Sequence, residues 1–316
     1  MDAHELLKKI NIIPLVSNKI SQELLAGNFS SIFKGQGIEF DEARHYQWGD
    51  DARSIDWNVS ARFGTPFVKV YREEKDLTIM ILLDVSASMR NCAGPDAYAP
   101  IAVTPYEQGL LAAATLIFSA ERSGQRMGAL LFDSGIEKAF APRKGQVMEF
   151  ISCALQYQHA APHDSSVPPN AHNKVSPNGK KIGSNLGEAL RGAGRLLGKR
   201  SMVVVISDFL CSGWEDEFAN VCRKHDVLAI RIKTSLDDAL PDWGLITMED
   251  PETFYKITAP VRFRSFKKAW GFWHEQRADA WAAACRRYGA AQLVLPTDVD
   301  ACAALYKYFV GRKGKE

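Results

Sequence analysis

Asp84, Ser86 and Ser88 sit on alternate positions directly after the apolar run Leu77 to Leu83. One carboxylate and two hydroxyls at that spacing are hard oxygen donors. Such donors suit Mg²⁺, and less selectively Mn²⁺ or Ca²⁺. The site needs further oxygens from other parts of the chain. Asp208 follows a second apolar run, Ser201 to Ser207, and Gly183-Ser184-Asn185 precedes the amphipathic segment leading into that run. Ser184 either caps a helix or turns its hydroxyl to the cation. Five oxygen-bearing side chains at three separate segment ends are more than helix capping alone requires.

The other chemically suggestive residues read more plainly. Asp50, Asp51 and Asp56 lie among Arg44, Arg53 and Arg62, and are expected to form an ion-pair network bracing a loop-rich stretch. Gly35-Gln36-Gly37 lacks the remainder of a phosphate-loop pattern and reads as a turn. His159, His163 and His172 lie in a stretch with no helix to fix them as zinc ligands, and His45, His225 and His274 are isolated and read as structural. Trp270, Trp273, Trp281, Ala284, Cys285 and Tyr288 fall on one helical face, the pattern of core packing. From Lys256 to Glu316 there are 12 Lys and Arg against 5 Asp and Glu, which reads as a solvated basic surface rather than a nucleic-acid site.

These donors must be held by a regular framework. From Leu77 onward, strand-like and helix-like segments alternate. Strands are expected at Leu77 to Leu83, Arg126 to Phe132, Ser201 to Ser207, Val227 to Ile232 and Ala291 to Leu295, with Gly135 to Ala141 as an edge strand. Helices are expected at Gln108 to Ser123, Gln146 to Leu155, Ser184 to Leu197, Trp214 to Lys224, Ser265 to Tyr288 and Val299 to Val310. Trp243 to Pro260 reads as a hairpin turning near Asp250 to Glu252. Alternation of this kind specifies an α/β fold, a doubly wound parallel sheet with helices on both faces. In such sheets ligands bind at the carboxyl ends of the strands, where Asp84 and Asp208 fall. Met1 to Asn28 reads as helical, and Phe29 to Glu74 as a compact loop-rich unit with some strands, among them Pro66 to Tyr71. The expected division is residues 1–75 and 76–316, with long loops at 91–105 and 156–183 near the metal end.

Bulk composition excludes several classes. The 316 residues are 46% hydrophobic and 24% charged, with a net charge of +2, so overall charge recommends neither nucleic acid nor a membrane as partner. The longest uncharged apolar stretch, Gln108 to Ala120, is about two thirds of a membrane span. The N-terminal residues carry Asp2, Glu5, Lys8 and Lys9 and match neither a signal nor a transit peptide, so a cytoplasmic protein is expected. The six cysteines show no C-x-x-C pair and are expected to be reduced and mostly buried.

Asp84-x-Ser86-x-Ser88, the hydroxyl of Ser184 and Asp208 together resemble the metal-ion-dependent adhesion site of von Willebrand factor A domains. The resemblance implies a Rossmann-like sheet of von Willebrand A type. The serines and the later hydroxyl would contact the metal, the two aspartates would help directly or through water, and a partner's carboxylate would complete the octahedron. That later position is usually Thr in the family, and Ser184 keeps the hydroxyl without the β-branch. Upstream, Lys34 to Tyr46, Gly49 to Trp57, Ser60-Ala61-Arg62 and Pro66 to Glu74 are similar to the hallmark of the domain-of-unknown-function 58 family, which places this segment before a von Willebrand A-like domain. That resemblance implies association with MoxR-type AAA+ ATPases and a chaperone-like or adaptor role.

The expectation is therefore a non-enzymatic interaction module that grips an Asp or Glu of a partner protein through Mg²⁺ held by Asp84, Ser86, Ser88, Ser184 and Asp208. The partner would be a MoxR-type ATPase or its client. The alternative is a Mg²⁺-dependent phosphohydrolase, which would need a second Asp where Ser86 stands.

Overall fold

The computed structural model describes residues 38–48, 50–73, 77–90, 103–158, 184–238, 240, 244–249 and 256–313. The expectations for Met1 to Asn28, for the histidines at 159, 163 and 172, and for most of the two long loops lie outside the described residues. The chain forms two compact units, one of them Phe29–Asp76 and the other built on Leu77–Glu316.

In the smaller unit, β1 (Ile38–His45) pairs antiparallel with β2 (Phe67–Glu73), with a register shift between Phe40 and Glu42. Between them lie a single 3-10 turn at Ala52–Ser54 and α1 (Trp57–Phe63). The short helix is defined by its ends. Asp56 accepts from the backbone N–H of Asn58 and Val59, and Gly64 closes the helix at φ 69°, a conformation that costs glycine little. Ser60 Oγ donates to Asp56 O at 2.7 Å and accepts from Phe67 N–H at 2.8 Å, joining helix to strand. Within the expected ion-pair network, Arg44 holds Asp50 in a bidentate pair at 2.8 and 2.6 Å. Asp51 and Asp56 also accept from backbone N–H groups, and Arg53 and Arg62 make no ion pair among the described residues. The turn and the cap need those donors satisfied more than exposed charges need partners.

The larger unit is a six-stranded sheet. Its strands are β3 (Thr78–Asp84), β4 (Arg126–Phe132), β5 (Ile136–Arg143), β6 (Met202–Ser207), β7 (Asp226–Lys233) and, after the separate hairpin of β8 (Ile246–Glu249) and β9 (Lys256–Ala259), β10 (Ala291–Pro296). The order across the sheet is β10-β7-β6-β3-β4-β5, with β5 antiparallel to β4 and every other pair parallel. The helices are α2 (Ala87–Arg90), α3 (Pro105–Arg122), α4 (Val147–Gln158), α5 (Leu186–Leu196), α6 (Glu215–Lys224), α7 (Ser235–Asp238), α8 (Arg264–Tyr288) and α9 (Ala301–Lys313). This is the expected doubly wound, Rossmann-like sheet with helices on both faces.

Strands β3 and β6 are buried almost throughout because both faces are covered, which explains their unbroken apolar sequence. On one face Met80, Leu82, Val203 and Val205 pack with Leu186, Leu190 and Ala193 of α5, Phe218 of α6, and Trp281 and Cys285 of α8. On the other, α3 lies so close that a Cβ on Gly109 would stand 3.1 Å from Ile206 and 3.3 Å from Leu83. Helix α3 begins at Pro105, earlier than apolar periodicity alone predicts. Thr104 and Glu107 form a capping box there, with Pro105 at the first turn. The aromatic face expected along α8 holds for its second half only. Trp281 and Cys285 are buried, Trp270 joins a separate cluster with Leu236 and Phe266, and Trp273 is 45% exposed. The first half of α8 packs instead on α7, where Trp270 Nε1–H donates to Leu236 O at 2.8 Å.

Candidate metal centre

The chain runs from β3 outward through β4 and β5, then returns to place β6 on the opposite side of β3. The crevice beyond the carboxyl ends of β3 and β6 is thus the topological switch point, where such sheets bind ligands. Asp84 is the last residue of β3, and Ser86 and Ser88 follow on the turn into α2. Ser207 ends β6 and Asp208 follows it.

All five expected donors are brought together. Ser86 N–H donates to Asp84 Oδ1 at 2.9 Å, which folds the turn back on the strand end. Ser86 and Ser88 hydroxyls lie 3.0 Å apart. The Ser86 side chain also lies close enough to Asp84, and the Ser88 side chain close enough to Asp208, to favour the ionised carboxylates. Ser184 Oγ donates to Asp84 Oδ2 at 3.2 Å. Ser184 is not the helix cap: Asn185 is, its side chain accepting from Glu188 N–H at 3.1 Å, and α5 starts one residue later. Asn185 N–H donates to Asp133 O at 2.7 Å, pinning this segment beside the end of β4.

Sequence reasoning treated Ser207 as the end of a strand and missed its role. Its hydroxyl donates to Asp84 Oδ2 at 2.6 Å and accepts from Phe209 N–H at 3.0 Å. A serine closing an otherwise all-aliphatic strand was the available signal. Asp208 Oδ1 in turn accepts from Leu210 N–H at 2.9 Å. Between them Phe209 adopts φ 55°, a left-handed conformation rarely taken by a bulky residue, and its ring packs against Trp214 and Trp281. Arg277 donates to Leu210 O, so α8 braces the same turn.

Asp84 and Ser86 are fully buried, whereas Ser88, Ser184 and Asp208 keep partial exposure, so the cluster opens to solvent on one side. Burial, and then the neighbouring charge of Asp208, pushes the Asp84 pKa above the usual carboxylate range against three opposing hydrogen bonds. Burial raises Asp208 as well, opposed by the Leu210 N–H and Ser88. Two adjacent carboxyls that resist ionising together are what a cation would relieve. Cys211 lies near both: burial, then Asp84 and Asp208, push its thiol up to about 12. It stays protonated at neutral pH, and the donor set is all oxygen. The residues therefore fit a hard divalent cation such as Mg²⁺. Behind Asp208, the buried Arg231 lies 3.8 Å from Asp237, which also approaches His274 at 3.7 Å.

A family model described as Protein of unknown function DUF58 matches residues 42–276. An uncharacterized protein of Mycobacterium tuberculosis (strain ATCC 25618 / H37Rv) is 28% identical over 318 residues, covering 99% of this chain and 92% of that protein. An uncharacterized protein of Mycobacterium avium is 35% identical over 120 residues, covering 36% of this chain and 68% of that protein. Among solved structures, the conserved hypothetical protein BatB from Bacteroides thetaiotaomicron is similar with a TM-score of 0.43 and 15% identity, covering 76% of this chain and 100% of that chain. A von Willebrand factor type A protein from Catenulispora acidiphila is similar with a TM-score of 0.35 and 12% identity, covering 79% of this chain and 44% of that chain. No helix among the described residues is long and apolar enough to cross a membrane.

Proposed function

The chain belongs to the family described as Protein of unknown function DUF58, and on that footing we propose that it is a non-enzymatic, metal-dependent protein-interaction module. The observation that carries this reading is the convergence at one sheet edge of Asp84, bonded by Ser86 N–H at 2.9 Å and Ser184 Oγ at 3.2 Å, with Ser88 Oγ 3.0 Å from Ser86 Oγ and the charge of Asp208 close beside Asp84. Asp84, Ser86, Ser88, Ser184 and Asp208 would hold Mg²⁺, with Mn²⁺ or Ca²⁺ as weaker substitutes. The bound cation supplies Lewis acidity toward one more oxygen ligand. Asp84 and Asp208 would balance the cation's charge, and with three neutral hydroxyls they make five donors, one short of an octahedron, which leaves a position for an external carboxylate oxygen. Its solvent-open side, at Ser88, Ser184 and Asp208, is where an Asp or Glu of a partner would enter. Ser207 holds Asp84 in place, and the Leu210 N–H does the same for Asp208.

The phosphohydrolase alternative lacks its second carboxylate, because Ser86 occupies that position and bonds Ser88 and Asp84. The partner we favour is a MoxR-type AAA+ ATPase or its client, an assignment that rests on the family resemblance alone. The test is binding of the full chain to a purified MoxR-type ATPase of the same cell, with Mg²⁺ and with chelator. Mg²⁺-dependent binding lost in Asp84→Ala supports the reading. Binding indifferent to both chelator and variant contradicts it, and Mg²⁺-dependent release of phosphate from a generic ester, lost in Asp84→Asn, would favour the hydrolase.

A further inference from the structure

Helix α5 starts at the metal centre, so its second half points toward the amino ends of the strands. Helix α6 runs alongside and ends at His225, just before β7 begins. Between the second halves of these helices is a half-open cleft of 470 Å³ with an apolar wall of Leu190 and Val221. Four cations line it, Arg191, Arg195, Arg223 and Lys224, against the single carboxylate of Glu217. Helix C-termini attract cations in any case, because each carries roughly half a negative charge. Two such ends and Glu217 together supply about two negative charges, which leaves about two of the four cations in surplus. The nearby Asp226 does not remove that surplus, since it is engaged by Arg200 at 2.7 and 3.1 Å.

The bonds within the cleft are long. Arg191 approaches Glu217 at 3.3 Å and Arg223 approaches Asn220 at 3.4 Å. Arg195 and Lys224 make no ion pair among the described residues. Gly194 keeps the space open, since a Cβ there would meet nothing within 4 Å.

We propose that this cleft is an anion site for a compact phosphate-bearing ligand, with the phosphate oxygens held by Arg191, Arg195, Arg223 and Lys224. Guanidinium forks match phosphate geometry, and the lysine adds a point charge. No Phe, Tyr or Trp lines the cleft, and recognition rests on the phosphates. Free pyrophosphate and the diphosphate of a nucleotide share this chemistry. The site lies at the opposite end of α5 from Asp84 and is independent of the metal reading.

The test is calorimetric titration of the full chain with pyrophosphate in EDTA at low ionic strength. One-to-one saturable binding is expected. Gly194→Leu fills the cleft while improving helix propensity, and should weaken binding about tenfold or more. Arg195→Glu/Lys224→Glu should abolish it, whereas Arg264→Glu, outside the cleft, and Asp84→Ala should leave it unchanged. ADP no tighter than pyrophosphate keeps recognition on the phosphates. The proposal is overturned by no saturable pyrophosphate binding, by equal weakening in Arg264→Glu, by binding untouched by Gly194→Leu, or by binding of ADP or hexaglutamate but not of pyrophosphate.

Discussion

Ser207 Oγ and Asp84 Oδ2, at the carboxyl ends of adjacent parallel strands, are joined by a 2.6 Å hydrogen bond. The bond ties together the two strand ends that carry the site. Ser207→Ala removes a donor from a buried carboxylate, and should destabilise the metal-free protein by about 1.5–3 kcal/mol. Urea unfolding measures this. Ser207→Thr keeps the hydroxyl and should recover most of the loss.

The buried carboxyl pair gives stability a pH dependence of definite sign. Asp84 and Asp208 have folded pKa values above their unfolded ones. Each binds its proton more tightly when folded, so the associated stability is fully present below the unfolded pKa, near 4, and is lost as pH rises through the folded value. In chelator, the wild type should therefore gain stability from this pair as pH falls from neutral toward about 5. Asp84→Asn should be more stable than wild type at neutral pH, with a shallower dependence. Thermal unfolding across pH in EDTA checks this, and equal slopes for the two proteins would contradict the assignment.

Ser184 and Asn185 divide two duties between neighbouring residues. Asn185→Ala should cost about 1 kcal/mol as a lost helix cap, measurable by urea unfolding in chelator. Ser184→Ala should leave that stability nearly intact and weaken Mg²⁺ binding. Ser184→Thr should retain binding, since the β-branch restrains the rotamer without removing the oxygen.

Gly109 permits the close approach of α3 to Leu83 and Ile206, the residues before Asp84 and Ser207. Gly109→Val should cost about 1–3 kcal/mol through overpacking. It should also weaken Mg²⁺ binding, although residue 109 supplies no ligand.

The sheet and its carboxyl-end donors were legible because β3 and β6 must be apolar on both faces, which leaves Asp84 and Asp208 conspicuous at their ends. Strand β1 was harder to read. Its sequence, IEFDEARH, is charged, and its pairing with β2 spans a bulge and a long intervening segment. Helix α1 has only seven residues, too few for periodicity, and depends on Asp56 and Gly64 at its ends. The grouping of Arg231 with Asp237 and His274 joins three separate elements, β7, α7 and α8, and no local spacing encodes such a contact. Trp273 shares the spacing of buried residues but stays 45% exposed, with the Arg277 guanidinium over its ring at 4.9 Å.

The central claim is tested most directly by calorimetric titration with Mg²⁺ and Mn²⁺, alone and with an acidic peptide, of wild type, Asp84→Ala and Ser86→Ala/Ser88→Ala. The account predicts saturable binding in the wild type, strengthened by the peptide and lost in both variants. Absence of binding to the wild type even with the peptide present, or binding that survives in both variants, would contradict it.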